Sequence, residues 1–187
     1  MKRIYPIVGL LAVCWLMFLV NNLMMQGALS QYGIVPRTER GLLGILFAPF
    51  LHSSFQHITA NSIPLFVLGS IISVRSPKAF FSVTIFGILF SGLLTWLIAR
   101  PACHIGASGL VFCYFGYVIG LALYRHKVSD ILVALICGVA YGGIIWGLSP
   151  FQHGVSWEGH ASGLAVGWLM ARFSKPSSNE QVAVKTL

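Results

Sequence analysis

Three short polar constellations interrupt the long apolar runs of this 187-residue chain. The first is His57-Ile58-Thr59-Ala60-Asn61. Residues four apart share a helical face, so the imidazole and the carboxamide address one volume. The second is Gly106-Ala107-Ser108-Gly109, where an apolar run begins. Its glycines let other backbone come close, and the free N–H groups of a helix start face any developing negative charge. A serine there has an oxyanion site built around it. The third is Gly159-His160-Ala161-Ser162-Gly163, continuing to Gly167. Glycine at every fourth position makes a smooth stripe on which a second helix can approach closely. Such an approach brings an imidazole within ~3 Å of a serine hydroxyl on the neighbouring helix.

The chemistry these residues could perform together is nucleophilic attack by Ser108 with His160 as general base. The chain holds four carboxylates, Glu39, Asp130, Glu158 and Glu180. Glu158 is nearest to His160, but residues i and i+2 diverge on a helix. The expectation is therefore a Ser–His dyad whose imidazole is oriented by packing or by water. The pattern is not a nucleophile elbow, because no strand precedes it in an all-helical chain. Each constellation alone also fits a role as helix–helix glue, since polar residues often join membrane helices. The three together favour catalysis.

The elements that must carry these groups are membrane spans. Hydrophobic residues make up 57% of the chain and charged residues 9%, against roughly a quarter charged in soluble domains. Six apolar runs occur at 4–20, 58–74, 79–99, 105–124, 131–148 and 159–173, the last of them short for a span. The stretch 42–51 is apolar but too short to cross, and reads as an interfacial or re-entrant helix in the first loop. One domain is expected over 1–173, followed by a polar, disordered tail over 174–187.

A signal peptide cleaved near Gln26-Gly27-Ala28 is the alternative reading of the first run, and charge decides against it. With six spans and Lys2 and Arg3 inside, the inner segments hold Lys2, Arg3, Arg75, Lys78, Arg125, Lys127, Arg172, Lys175 and Lys185. The outer segments hold Arg37, Arg40 and Arg100. Nine against three is the bias of short cytoplasmic loops, so both termini are placed inside. The net charge of +8 reflects this orientation rather than nucleic-acid binding, because the basic residues form no stripe. The same topology puts His52, His57, His104, His153 and His160 toward the outer face. Cys14, Cys103, Cys113 and Cys137 have no CxxC spacing and read as small buried residues.

HxxxN in the second span, GxSG opening the fourth, and His followed by small residues in the sixth resemble the rhomboid family of intramembrane serine proteases. The similarity runs over the six-span core and is closest to the short bacterial type. The resemblance implies a six-helix all-α bundle with a short interfacial helix in the first loop. It implies Ser108 as nucleophile and His160 as base, with His57, Asn61 and the amides of Ala107 and Ser108 binding the oxyanion. It further implies supporting roles for Gly106, Gly109, Gly163 and the loop residue His52, and a packing role for Phe112 against the catalytic imidazole. No cofactor or metal is implied. The implied partners are single-span membrane proteins within the lipid bilayer, in the bacterial inner membrane. One departure is that many members carry a Trp-Arg pair in the first loop, whereas Arg40 here precedes Gly41 with no tryptophan nearby.

Two other readings compete. An inactive rhomboid-like protein that binds transmembrane helices would be expected to lack Ser108 or His160. A metal-binding membrane protein could use the outer histidines, yet HExxH is absent and GASG is left unexplained.

Overall fold

The computed structural model describes residues 2–152 and 154–174. Seven α-helices follow one another there: α1 (Tyr5–Leu19), α2 (Glu39–Phe47), α3 (Phe55–Arg75), α4 (Pro77–Ile98), α5 (Ser108–Arg125), α6 (Val128–Tyr141) and α7 (Trp157–Arg172). Their starts follow from local chemistry. Side chains of Thr38, Ser54, Ser76 and Ser156 accept from backbone N–H groups in the first turns of α2, α3, α4 and α7. Pro77 occupies the first turn of α4, where a missing N–H costs nothing. Helix α5 starts differently: Ala107 precedes it and provides no side-chain cap, so its first amides are left for another acceptor.

Five segments are long and apolar enough to cross a membrane: α1 with its continuation to Met24, α3, α4, α5, and α6 continued through a 3-10 stretch to Leu148. The chain is thus a multi-pass membrane protein. Helix α7 has 16 residues and rises about 24 Å, less than the ~30 Å of a bilayer core. The six-span expectation therefore has five segments of spanning length and one shorter helix. The stretch expected to lie in the interface is α2, a nine-residue helix continued by a 3-10 turn at Ala48–Phe50. Of the expected tail, only Ser174 lies within the described residues; its hydroxyl bonds with the Tyr117 hydroxyl at 2.5 Å.

Helix α5 is the axis of the bundle, with Leu110, Val111, Phe112, Cys113 and Tyr114 all buried. Helices α1 and α6 lie outside it and present large apolar side chains outward, Val139 being 89% exposed. In water that surface would be unsustainable, and in lipid it is the ordinary condition of a helix. The tightest packing is between α5 and α7. A methyl group on Gly163 would collide with the Gly109 carbonyl, one on Gly167 with the Cys113 carbonyl, and one on Gly116 with the Leu164 carbonyl. Of the small-residue stripe read in the sequence, Gly163 and Gly167 thus make a backbone-to-backbone contact that brings the two helices together, while Gly159 faces the Ser156 side chain.

Basic residues of the described chain lie at both ends of the bundle. Arg3 donates to the Val74 carbonyl, and Arg75 pairs with buried Asp130 across the start of α6. Arg37 and Arg100 lie at the opposite end, where Arg37 donates to the carbonyls of Leu97 and Ala99. A tryptophan does brace the first loop, but from another helix. The indole of Trp96 in α4 donates to the Thr38 carbonyl at 2.8 Å. Arg40 donates to the Gln31 carbonyl and lies 5.3 Å over the Tyr32 ring.

Candidate active site

Ser108 is the first residue of α5 and His160 lies in the first turn of α7, so the close approach of these helices decides their separation. His160 Nε2 lies 2.8 Å from Ser108 Oγ. The other ring nitrogen, Nδ1, lies 2.8 Å from the carbonyl oxygen of Gly147. A carbonyl only accepts, so Nδ1 carries the proton and Nε2 presents its lone pair to the serine hydroxyl. The Phe112 ring stacks on the imidazole, with centroids 4.3 Å apart and planes 11° from parallel. His160 is 8% exposed. The imidazole is therefore oriented by a backbone carbonyl and an aromatic face.

Gly106 makes the turn before the serine at φ +114°, a region that side chains rarely adopt. It also makes room. A Cβ there would lie 2.5 Å from His57 Nε2 and 3.6 Å from Asn61 Nδ2. The two polar residues of α3 thus converge on the turn that leads into Ser108, as their spacing of four predicts. His57 Nδ1 lies 3.3 Å from the Ser53 hydroxyl. If Ser53 donates, Nε2 is left as the protonated donor beside Gly106. The Asn61 amide nitrogen is buried and has no hydrogen-bond partner among the described residues. Its N–H groups are therefore available as donors beside the serine turn.

His52 is 1% exposed and packs edge-on against His57, with ring centroids 5.0 Å apart. Its Nε2 accepts the Ala107 N–H at 3.3 Å. Burial, with His57 close by, pushes its pKa down to about 4, so it is neutral near pH 7 and able to accept. The Ala107 amide expected at the oxyanion is therefore engaged by His52 in this structure, while the Ser108 amide has no intrahelical acceptor. Gly109 serves packing: its carbonyl underlies Gly163, and a Cβ on it would meet the Gly159 carbonyl at 3.5 Å.

A cavity of about 650 Å³ opens over these groups, lined by His57, Asn61, Ser108 and His160 together with Gln56 and Arg100. Glu158 does not reach the imidazole; it pairs with Arg100. His153 lies outside the described residues. Among the described residues, no group of three or more His, Cys, Asp or Glu side chains could hold a metal ion. Cys14, Cys113 and Cys137 are buried, whereas Cys103 is exposed.

The residue that sequence reasoning did not find is Gly147. It acts through its carbonyl, which any residue type possesses. The signal available was indirect: Gly142, Gly143 and Gly147 break the helical pattern of the fifth run, and there the chain changes from α to 3-10 geometry.

Fold and site define a helical membrane protein with a serine–histidine pair sunk between two closely packed helices. A family profile described as Rhomboid domain matches residues 39–176, a segment that contains each of these site residues. The chain belongs to the rhomboid family. It is 35% identical over 188 residues to an uncharacterized protein of Mycobacterium tuberculosis, covering 96% of this chain and 78% of that one. An uncharacterized protein of Mycobacterium leprae is 34% identical, over 96% and 74% of the two chains. A Bacillus subtilis protein named "Putative rhomboid protease YdcA" is 24% identical, over 90% and 88%.

Proposed function

We propose that this protein is an intramembrane serine endopeptidase that cuts single-span membrane proteins through a Ser108–His160 dyad. The observation that carries the proposal is the 2.8 Å contact between Ser108 Oγ and the unprotonated face of His160, with the opposite face held by Gly147. In the first step Ser108 Oγ attacks the scissile carbonyl carbon while its proton passes to His160 Nε2. The Gly147 carbonyl favours the imidazolium so formed, because it accepts from Nδ1–H throughout. The tetrahedral oxyanion is held by Asn61 Nδ2, His57 Nε2 and the Ser108 amide. The Ala107 amide can join them only by giving up its bond to His52. Collapse breaks the C–N bond, and His160 hands its proton to the leaving amine. Water then attacks the acyl-serine with His160 again as base, which frees the carboxylate product and restores the Ser108 hydroxyl.

Orientation follows from charge. Six spans, with α7 completing its crossing through flanking residues, put both termini in the cytoplasm and the dyad toward the outer face of a bacterial inner membrane. Water reaches the acyl-enzyme through the 650 Å³ cavity. The substrate must expose a carbonyl that its own helix hydrogen-bonds, so small or helix-breaking residues near the outer face favour cutting. Glycine lowers the cost of unwinding by ~1 kcal/mol and proline by ~3 kcal/mol relative to alanine. The test is cleavage of a single-span substrate by the purified protein in liposomes, with the new termini sequenced. The proposal expects cuts in the outer half that vanish with Ser108→Ala. Binding without cutting would favour a helix-binding scaffold.

A further inference from the structure

Arg100 and His104, in the loop that leads to Ser108, grip the start of the helix that carries His160. His104 is 6% exposed. Its Nε2 lies 3.1 Å from the Arg100 carbonyl, so that nitrogen carries the proton, and its Nδ1 lies 2.7 Å from the Ser156 hydroxyl and accepts from it. The Ser156 oxygen in turn accepts the Gly159 N–H at 3.3 Å as the cap of α7. Beside this chain, the Arg100 N–H donates to Glu158 Oε1 at 3.2 Å, and its guanidinium lies 3.6 Å from the same oxygen. The guanidinium also donates to the Val155 carbonyl. Glu158 is 3% exposed, and its second oxygen has no hydrogen-bond partner among the described residues. A carboxylate buried to that degree is held there by its cation.

We propose that Arg100, His104, Ser156 and Glu158 form a clasp that sets the distance between the nucleophile and its base. All four are positioning residues. His104 precedes Ser108 by four residues, and Ser156 precedes His160 by four, so the 2.7 Å bond ties together the two short arms that end in the dyad. The glycine contacts of α5 and α7 hold the arms from the membrane side, and the clasp holds them from the water-facing side. The first loop joins in, because Ile34 and His104 exchange two backbone hydrogen bonds of 2.9 Å. The assignment rests on the dyad mechanism proposed above.

The test follows the reaction of Ser108 with a small fluorophosphonate, which needs an activated serine but no transmembrane substrate, alongside kcat and KM for cleavage. With His104→Ala, both the labelling rate and kcat are expected to fall about ten- to a hundred-fold with KM unchanged, the scale of a 1 Å misplacement. Ser156→Ala should be slow, and Ser156→Thr, which keeps the hydroxyl, should restore the rate. Glu158→Gln, which keeps the shape and loses the charge, should also slow labelling. Wild-type labelling in His104→Ala, or equal rates for Ser156→Ala and Ser156→Thr, would overturn the clasp. A fall in thermal stability with an unchanged labelling rate below the transition would do the same, since that is a structural role alone. Should His104→Ala fail to fold, the Ser156 pair and Glu158→Gln decide the matter. Full cleavage by Ser108→Ala would instead remove the dyad, a separate failure. Loss of cleavage in Ser108→Ala beside a fully active His104→Ala would remove the clasp alone.

Discussion

His160 Nδ1 lies 2.8 Å from the carbonyl oxygen of Gly147, on the edge of the ring opposite to Ser108. In the proposed dyad this relationship takes the place of the carboxylate of a triad. It selects the tautomer that leaves Nε2 unprotonated toward the serine, and it supplies a fixed dipole to the imidazolium. A carbonyl carries no net charge, so it does this without burying an ion.

Gly147→Ala should uncouple the pair. The added methyl would lie 2.8 Å from His160 Nδ1 and 3.2 Å from Phe112 Cζ, so the imidazole must move from both its acceptor and its stacking partner. A ten- to hundred-fold loss in kcat is expected, roughly the scale of a 1 Å displacement, with little change in KM. Steady-state cleavage kinetics in detergent or liposomes check it. Unchanged kcat would mean that Gly147 does not orient the base.

Gly163→Val should damage the protein far more than Ala165→Val on the exposed face of the same helix. The branched side chain would meet the Gly109 carbonyl directly, and relief requires α7 to move away from α5. Overpacking of this kind costs about 1–3 kcal/mol in stability and should also widen the Ser108–His160 gap. Thermal unfolding and cleavage rate, measured on both variants, give the comparison. Equal tolerance would mean that the stripe does not set the helix spacing.

His57→Ala and Asn61→Ala should each leave slow but measurable turnover. Loss of one oxyanion donor typically costs ~3 kcal/mol, about a hundred-fold in kcat, while the remaining donors still act. Wild-type kcat in both variants would take α3 out of the site.

Stability should depend on pH through His52. Its folded pKa of about 4 lies below the ordinary value of 6.5, so the unfolded chain takes up a proton first as the pH falls. The stabilisation is complete above pH 6.5, declines between 6.5 and about 4, and is spent below that. It amounts to roughly 3 kcal/mol over this window. Thermal unfolding of wild type and His52→Gln across pH 4–7 is the measurement. The acid-dependent fall between them should be smaller in the variant, and parallel curves would exclude His52 as its source.

Much of the fold was legible in the sequence because membrane burial writes a coarse signal. The apolar runs, the charge bias and the four-residue glycine spacing each follow from one physical constraint. Ser108, His160, His57 and Asn61 were legible because polar groups are costly in such runs and stand out against them. What was not legible acts through backbone or across distant segments. Gly147 contributes a carbonyl, a group that every residue type carries, so nothing in its identity marks the role. The Ala107 amide falls to His52 because the first loop folds beneath the serine turn, a tertiary fact with no local trace. The brace for that loop comes from Trp96, 58 residues after Thr38, a separation that no local motif marks.

The most direct measurement is the mass of the peptide bearing Ser108 after reaction with a fluorophosphonate, compared between wild type and His160→Ala. The dyad predicts a single phosphonyl adduct on Ser108 in the wild type, formed in step with loss of cleavage, and little or none in His160→Ala. An adduct on another residue, or equal labelling of Ser108 without the histidine, would contradict it.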